Sequence, residues 1–513
     1  MSKWLSKIFS NNILLIAITL VVKIPVFLTK HIQEDSFITW RVAKNLLNYG
    51  VIGFNGEDRI SASTTHLYTV VSAFFQLIFG EDFIYPILVF SAVLFAIGSI
   101  WLGKILFPQD TLRRGFFVVL LNLVPPAITA SCVGMEYGIL FFLYCGLIYY
   151  GFFKQKNWAF FLFPILLLWT RVDTVIFLGV MFLADLYLKK KLNWTFIIGG
   201  VVGLVSVVGF NYFYFGELVN HTISAKKIAY KNLTPNNNLD YFLIQWAYYG
   251  GLIKKYSFVT LFIFLGFLAL LCFAMVKIIK NKDRIAYKVK VILVAVVVFA
   301  LLKISVFAFL KAYFDWYYWL PRVFLFVAVI YYLLNFVRIR KRILVPSIFL
   351  IFIGLYLFQL VQSYAIGYME NTQRVQIAKD IAANGTNMEQ SILLEPAGKI
   401  PFYTNLYTYD EVGLVNKKIL DEMTADEHYW WMNSVRKFQP NYILSIGVKP
   451  DSGKGYYQMK EGDKAYFDGH YSLVKEYPIA EIHQNAPEIV KLVYGVRPIG
   501  KDYFLYLKRN GKP

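Results

Sequence analysis

The chain has 513 residues, 58% of them hydrophobic and 18% aromatic, and a formal net charge of +20. That composition excludes an ordinary soluble domain, and apolar windows of about 20 residues, the length that crosses a hydrocarbon core, recur along it. The charge does not signal nucleic acid, because the Lys and Arg residues stand beside the apolar windows, the pattern of cytoplasmic loops. Cys132, Cys145 and Cys272 all lie in apolar segments, so no disulfide framework is implied. The sequence carries no P-loop, no dinucleotide fingerprint and no metal-spaced His/Cys cluster.

In chain order, the first apolar segment, about 12–28, is too long for a signal-peptide core and lacks a small-residue cleavage site. It reads as an uncleaved anchor. Glu34-Asp35-Ser36-Phe37-Ile38-Thr39-Trp40-Arg41 follows, where the chain leaves the bilayer. It opens an amphipathic helix that runs to about Asn48 and stops at Gly50. Gly53-Phe54-Asn55-Gly56-Glu57 and Ser61-Ala62-Ser63-Thr64-Thr65-His66-Leu67 come next. Further spans are expected near 84–106, 116–131, 136–153, 158–170, 173–188, 194–215, 256–279, 289–310, 316–336 and 343–361. The segment 66–80 is apolar as well, and charge decides whether it crosses. If it stays on the surface, Lys3/Lys7, Arg113/Arg114, Lys154/Lys156, Lys189–Lys191, the Lys277-to-Lys290 run and Arg338–Arg342 all fall on one side. The segment is therefore expected to be a juxtamembrane helix, with the N-terminus inside and the C-terminus outside.

From about Ser363 the apolar runs shorten to strand length, as in Ser391–Leu394 and Tyr442–Ile446, and alternate with helical patterns at 371–383 and 417–437. The expected fold is a polytopic α-helical membrane protein of about eleven spans. Its membrane domain covers 1–362 and includes a large first outer loop, about 30–83. Its extracytoplasmic soluble α/β domain covers 363–513.

This topology gathers polar residues at one interface: Glu34 and Asp35; Glu136 after Gly134-Met135; Trp169-Thr170-Arg171-Val172-Asp173; Asn220-His221-Thr222-Ile223-Ser224-Ala225-Lys226-Lys227; and Lys311, Asp315 and Arg322. Ionisable groups at membrane depth are costly, so they are functional candidates by default. A carboxylate there can serve as a general base toward a substrate arriving from the lipid. Plain structural explanations stand beside these. Asp35 could cap its helix or complement the helix dipole. Glu136 could do the same for its own helix, and Arg171 with Asp173 could form an intramembrane pair. Lys226 and Lys227 could lie in a solvated loop, although lysines outside run against the insertion bias and so suggest an anionic ligand. His66 and His221 read as plain polar residues, and the aromatics at 313–319 as an interfacial belt.

Five motifs in this order resemble the polyprenyl-phosphate-dependent GT-C glycosyltransferases, especially the bacterial arabinofuranosyltransferase-like branch. They are Glu34–Ile38 through Arg41, Asn45, Gly53-Phe54-Asn55 and Thr64-Thr65-His66-Leu67; Gly134-Met135-Glu136; Thr170-Arg171-Val172-Asp173; Tyr214-Phe215-Gly216-Glu217-Leu218-Val219-Asn220-His221-Thr222 with Ala225-Lys226; and Gly398–Tyr403 with Asp410–Leu414. The sequence departs from the family pattern at Val172, at Asn220-His221-Thr222 and at Thr64–Leu67.

The resemblance implies a multi-pass protein of the bacterial inner membrane, of GT-C type, with its active site on the extracytoplasmic side. It implies a polyprenyl-phosphate sugar donor and a glycan, lipid or protein acceptor, among membrane lipids and without nucleic acid. Asp35 would be the base, with Glu34 as the alternative or as an orienter of the acceptor. Lys226, Lys227, Arg171 and Arg322 would hold the donor phosphate, and Arg41, Asn55, Thr65, His66, Glu136, Asp173 and His221 would line the substrate site. No nucleotide is needed; a divalent cation near the carboxylates is compatible but not required. Two other classes fit the composition. One is a transporter or flippase for lipid-linked sugars, although no paired repeat with broken midplane helices is visible. The other is a scaffold whose outer domain binds a glycan or a partner.

Overall fold

The computed structural model describes residues 2–56, 58–230, 257–281, 285–312, 314–336, 344–383, 385–386, 388–452, 457–496 and 498–509. Glu57, Tyr313, residues 282–284 of the basic run and the Arg338–Arg342 loop lie outside the described residues. The chain forms two compact units, each discontinuous in sequence.

The first unit takes Met1–Thr29, Ile84–Val207 and Thr234–Ser363. Its helices include Asn12–Leu28, Ile84–Leu106, Tyr137–Gly146, Asn157–Thr170, Val175–Lys189, Trp194–Phe210, Ser257–Lys280, Tyr287–Phe309 and Trp319–Phe336, all close to the expected spans. The expected 116–131 span is broken. Thr111–Leu123 and Pro125–Cys132 meet at 74°, because Val124 precedes a proline and is held extended. Among the described residues, five helical stretches are long and apolar enough to span, or seven if each bent pair counts as one. Length and apolarity alone therefore do not carry the count to eleven. Close packing explains Gly138: a Cβ there would lie 2.6 Å from the Ser91 carbonyl, so Tyr137–Gly146 can touch the Ile84–Leu106 backbone. Phe95 and Phe141 stack at 4.0 Å across the same contact.

The second unit takes Lys30–Phe83, Val208–Leu233 and Tyr364–Pro513. Its sheet has the order β2-β1-β3-β5-β4, with β1 Ser391–Leu394, β2 Tyr407–Asp410, β3 Tyr442–Ile446, β4 Tyr471–Tyr477 and β5 Tyr503–Lys508. β1, β2 and β3 run parallel, whereas β5 is antiparallel to β3 and β4. The period of two sends Leu393 and Ile443 to one face, with Trp431, Tyr457 and Phe467. It sends Ile392, Leu394, Tyr442 and Leu444 to the other, with Ile377, Ile381 and Ile400. The helix expected at 417–437 is two helices, Lys417–Ala425 and Trp430–Phe438. They part at Asp426, whose carboxylate accepts the His428 and Tyr429 N–H groups and so competes with the helix.

The first-loop helix, Glu34–Tyr49, ends at Gly50 in the left-handed conformation (φ 68°), as its sequence requires. Its Ile38 and Val42 share a core with Phe54, Ile60, Ala62, Ala397 and Val415. Helix His66–Phe79 buries Tyr68, Thr69, Ser72, Ala73 and Gln76. It leaves Val70, Phe74, Leu77 and Ile78 exposed, an apolar outer face.

Candidate functional site

In the second unit, the paired acids diverge in role. Gln33, not Asp35, occupies the N-cap of Glu34–Tyr49, and it makes no side-chain cap bond. Asp35 is the second helical residue, half-buried, where a carboxylate suits the helix dipole. Glu34 is tied down: its Oε1 accepts the Lys399 N–H at 2.7 Å and its Oε2 accepts from Arg374 at 3.0 Å. Arg374 also bonds Glu370 at 2.8 Å, and Glu370 in turn pairs with the Lys399 ammonium. Burial pushes the Glu34 carboxyl up, against the pull of Arg374 and Lys399. Burial, with Lys399 nearby, lowers His31 to about 4, so it is neutral at pH 7. Gly398 leaves room for this tie, since a Cβ there would lie 2.4 Å from the Glu34 carbonyl oxygen. The network is built from three residues outside the expected set, Arg374, Glu370 and Lys399.

Arg41 is buried, and its donors go to the backbone carbonyls of Phe54 at 2.9 Å, Pro401 at 2.7 Å and Leu406 at 2.6 Å. Its guanidinium also lies 4.4 Å from the Phe54 ring centre. Asn55 continues the edge of the sheet, exchanging bonds of 2.9 Å with both the N–H and the carbonyl of Thr408. Both residues thus join the first loop to the β2 edge.

Thr65 sits at the N-cap of His66–Phe79, its hydroxyl 3.1 Å from that of Ser63. His66 Nε2 lies 2.8 Å from Asn211 Oδ1, and the Asn211 amide donates to Asn220 Oδ1 at 2.8 Å. The chain of bonds requires His66 to carry a proton on Nε2. His221 Nε2 likewise donates to the Gly413 carbonyl at 2.8 Å. Lys226, half-buried, and Lys227, exposed, stand in the last turn of His221–Ala229, where cations also suit the dipole.

Farther along β2, Asp410 accepts the Val412 N–H at 3.2 Å and the Leu414 N–H at 2.6 Å, and burial raises its carboxyl to about 7. Glu411, fully buried, accepts the Trp431 indole N–H at 2.7 Å, and burial pushes it well above the carboxylate range.

In the first unit, Arg171 joins Glu136 at 2.7 Å and Asp173 at 3.1 Å, and Lys303 approaches Asp173 at 3.3 Å. Two cations and two anions make the cluster formally neutral. The structure thus brings together Glu136, Arg171 and Asp173, and adds Lys303. The sequence signal for Lys303 was present: it is the one charged residue between Val291 and Phe309 in an apolar helix. The hydroxyls of Tyr137 and Tyr144 are buried nearby without a hydrogen-bond partner among the described residues. Arg322 bonds Asp315 at 2.7 Å.

A family model described as "Domain of unknown function (DUF8728)" matches residues 363–505. No curated protein matches the chain. Among solved structures, the crystal structure of ArnT from Cupriavidus metallidurans bound to undecaprenyl phosphate is similar. Its TM-score is 0.57 at 11% identity, over 96% of this chain and 97% of that one. The likeness is one of fold, and it extends from the helical part through the small sheet domain.

Proposed function

We propose that the chain is an integral membrane glycosyltransferase of GT-C type. It moves a sugar, a pentose such as arabinofuranose or a hexose, from a polyprenyl-phosphate donor to an envelope glycan, lipid or protein, with inversion. The observation that carries this reading is the end-to-end fold likeness to a protein crystallised with undecaprenyl phosphate. The rigid seat of the Glu34–Tyr49 helix, held by Glu34 and Arg41, supports it. In this reading the site and the sheet domain lie on the extracytoplasmic side of the bacterial inner membrane.

The local geometry supports a division of labour between the two acids. Asp35 acts as the base and Glu34 as its anchor, a reading supported by the bonds from the Lys399 N–H and Arg374 that hold Glu34 in place. An acceptor hydroxyl has a pKa far above neutral and must lose its proton as it attacks. Asp35 takes that proton, the acceptor oxygen bonds the anomeric carbon, and the bond from that carbon to the phosphate oxygen breaks. The polyprenyl phosphate departs with the electron pair. Lys226 and Lys227 stabilise the charge that grows on it. Arg171 and Arg322 remain donor-phosphate candidates, each already joined to a carboxylate.

The test is transfer of labelled sugar from a short-chain polyprenyl-phosphate donor by purified protein. Asp35→Asn should stay folded and lose about a hundredfold or more of the rate, the scale of a missing general base. Unchanged transfer in that variant overturns the assignment of Asp35. Movement of lipid-linked sugar across vesicles without transfer overturns the enzyme reading in favour of a transporter.

A further inference from the structure

One end of the first unit holds three cations without a carboxylate partner among the described residues. Lys104 lies in the last turn of Ile84–Leu106, Arg114 in the opening turns of Thr111–Leu123, and Lys154 just after the Leu147–Phe153 stretch. They are close in space. A Cβ on Gly103 would lie 3.0 Å from Arg114 Cγ, and Lys154 stands over the Tyr149 ring, which stacks on Trp101 one turn before Lys104. Among the described residues, no carboxylate pairs with any of the three.

The helix dipole accounts for Lys104, which sits at a C-terminus, but it opposes Arg114, which sits near an N-terminus. Its neighbour Arg113 is compensated there by the N-cap residue Asp110, at 3.3 Å. Among the described residues, Arg114 has a long 3.4 Å contact with the Thr111 hydroxyl, and its Nε is buried without an acceptor. A buried guanidinium N–H left unpaired costs about 1–3 kcal/mol or more. An anion that supplies the missing acceptor oxygens would remove that cost and the mutual repulsion together.

Aromatic rings complete the surroundings. Trp101, one turn before Lys104, stacks on Tyr149 at 6.0 Å and meets Tyr150 edge-on at 5.2 Å. Lys154 lies 5.7 Å from the Tyr149 and Phe153 ring centres. Trp158 packs on Tyr150 at 5.3 Å. Amphipathic rings beside unpaired cations at the end of a helix bundle match the interfacial layer of a bilayer, where headgroup phosphates lie.

We propose that Lys104, Arg114 and Lys154 form a binding site for the phosphate of an anionic phospholipid, whose upper chain lies along Trp101, Tyr149 and Trp158. The ligand chemistry is a phosphate ester, and the aromatic floor commits the site to a lipid rather than to free phosphate. The basic loops place it in the cytoplasmic leaflet.

The test uses full-length protein in neutral detergent, titrated with phosphatidylglycerol, with phosphatidylcholine and with inorganic phosphate. Melting temperature is read throughout. Phosphatidylglycerol should raise the wild-type melting temperature saturably, and the other two should not. The combined variant Lys104→Gln, Arg114→Gln, Lys154→Gln should need at least about tenfold more lipid for half the effect, equivalent to about 1.4 kcal/mol. A variant neutralised at Lys189, Lys190 and Lys191 should keep the wild-type response. If the triple variant does not fold, Arg114→Lys and Lys104→Arg with Lys154→Arg give the second arm, in which charge is kept and the lipid response should survive. Equal responses to phosphatidylglycerol and phosphatidylcholine overturn the proposal. So does a full response to inorganic phosphate, an unchanged response in the triple variant, or the same loss in the Lys189–Lys191 variant.

Discussion

Replacing Arg41 by Met separates a structural tie from a substrate contact. The guanidinium bonds three backbone carbonyls, those of Phe54, Pro401 and Leu406. None would be orphaned by the change. Asn45 also donates to the Phe54 carbonyl at 2.7 Å, the Asn405 N–H to Pro401 at 3.0 Å, and the Thr408 hydroxyl to Leu406 at 3.1 Å. The loss is then three charge-assisted bonds at about 1.5–3 kcal/mol each, without the penalty for a bare carbonyl. Against it stands the relief of no longer burying a cation, which is several kcal/mol. The difference is a destabilisation of about 2–4 kcal/mol, a large part of the 5–15 kcal/mol that holds a typical domain. For a unit of roughly 150–250 residues each kcal/mol shifts melting by about 2–4 °C, so the expected drop is about 4–16 °C. Trp40, buried beside Arg41, reports the transition by fluorescence. Arg41→Lys should fall by a similar amount, because one ammonium cannot reproduce the planar fork. A melting temperature within about 2 °C of wild type, with transfer abolished, refutes the reasoning and returns Arg41 to the substrate.

Neutralising Lys226, Lys227 or Arg171 to Gln or Met should lower turnover more than apparent donor affinity, because the phosphate gains charge in the transition state. If all three leave both parameters unchanged, the phosphate lies elsewhere, around Lys311 and Arg322. Stability should fall as pH rises from about 5 toward 8, because folded Glu411 keeps a proton that the unfolded chain releases in the ordinary carboxylate range. Glu411→Gln still accepts the Trp431 N–H and should flatten that slope; parallel melting curves for the two proteins would exclude Glu411 as the cause. In a Cys272→Ser background, a cysteine at Glu81 should react with an impermeant thiol reagent in intact cells and one at Gln109 should not. Outside labelling at 109 would invert the topology.

The helical elements were readable because each rests on a local signal. Gly50 ended its helix through its left-handed backbone, and β1 and β3 were visible as short apolar runs between polar ones. The break at Asp426 was not, because the apolar period of 417–437 continues across it and only the side-chain competition for N–H groups marks the stop. Among candidate site residues, type and position gave Glu136, Arg171 and Asp173, which the fold brings into one cluster. Sequence could not show that Arg41 and Asn55 face backbone atoms more than 340 residues away. A polar residue in a motif looks the same whether it meets a ligand or a carbonyl. Lys399 and Glu370 were missed for the same reason: each is ordinary alone, and only their pairing within a closed network gives them meaning.

The three segments of the second unit leave the ribosome far apart in time. Arg41 bonds the carbonyl of Leu406, 365 positions later. At about 5–20 residues per second, roughly 20–70 s pass between synthesis of the two. For nearly all of that interval the Glu34–Tyr49 helix lacks Ala397, and for all of it Val415, two partners of its apolar face. The second unit is therefore completed only after the long apolar helices of the first have been made, and a nascent chain stalled before residue 397 would present the Glu34–Tyr49 helix to proteases and chaperones. Quality control of this protein should read the first loop, and it should do so late.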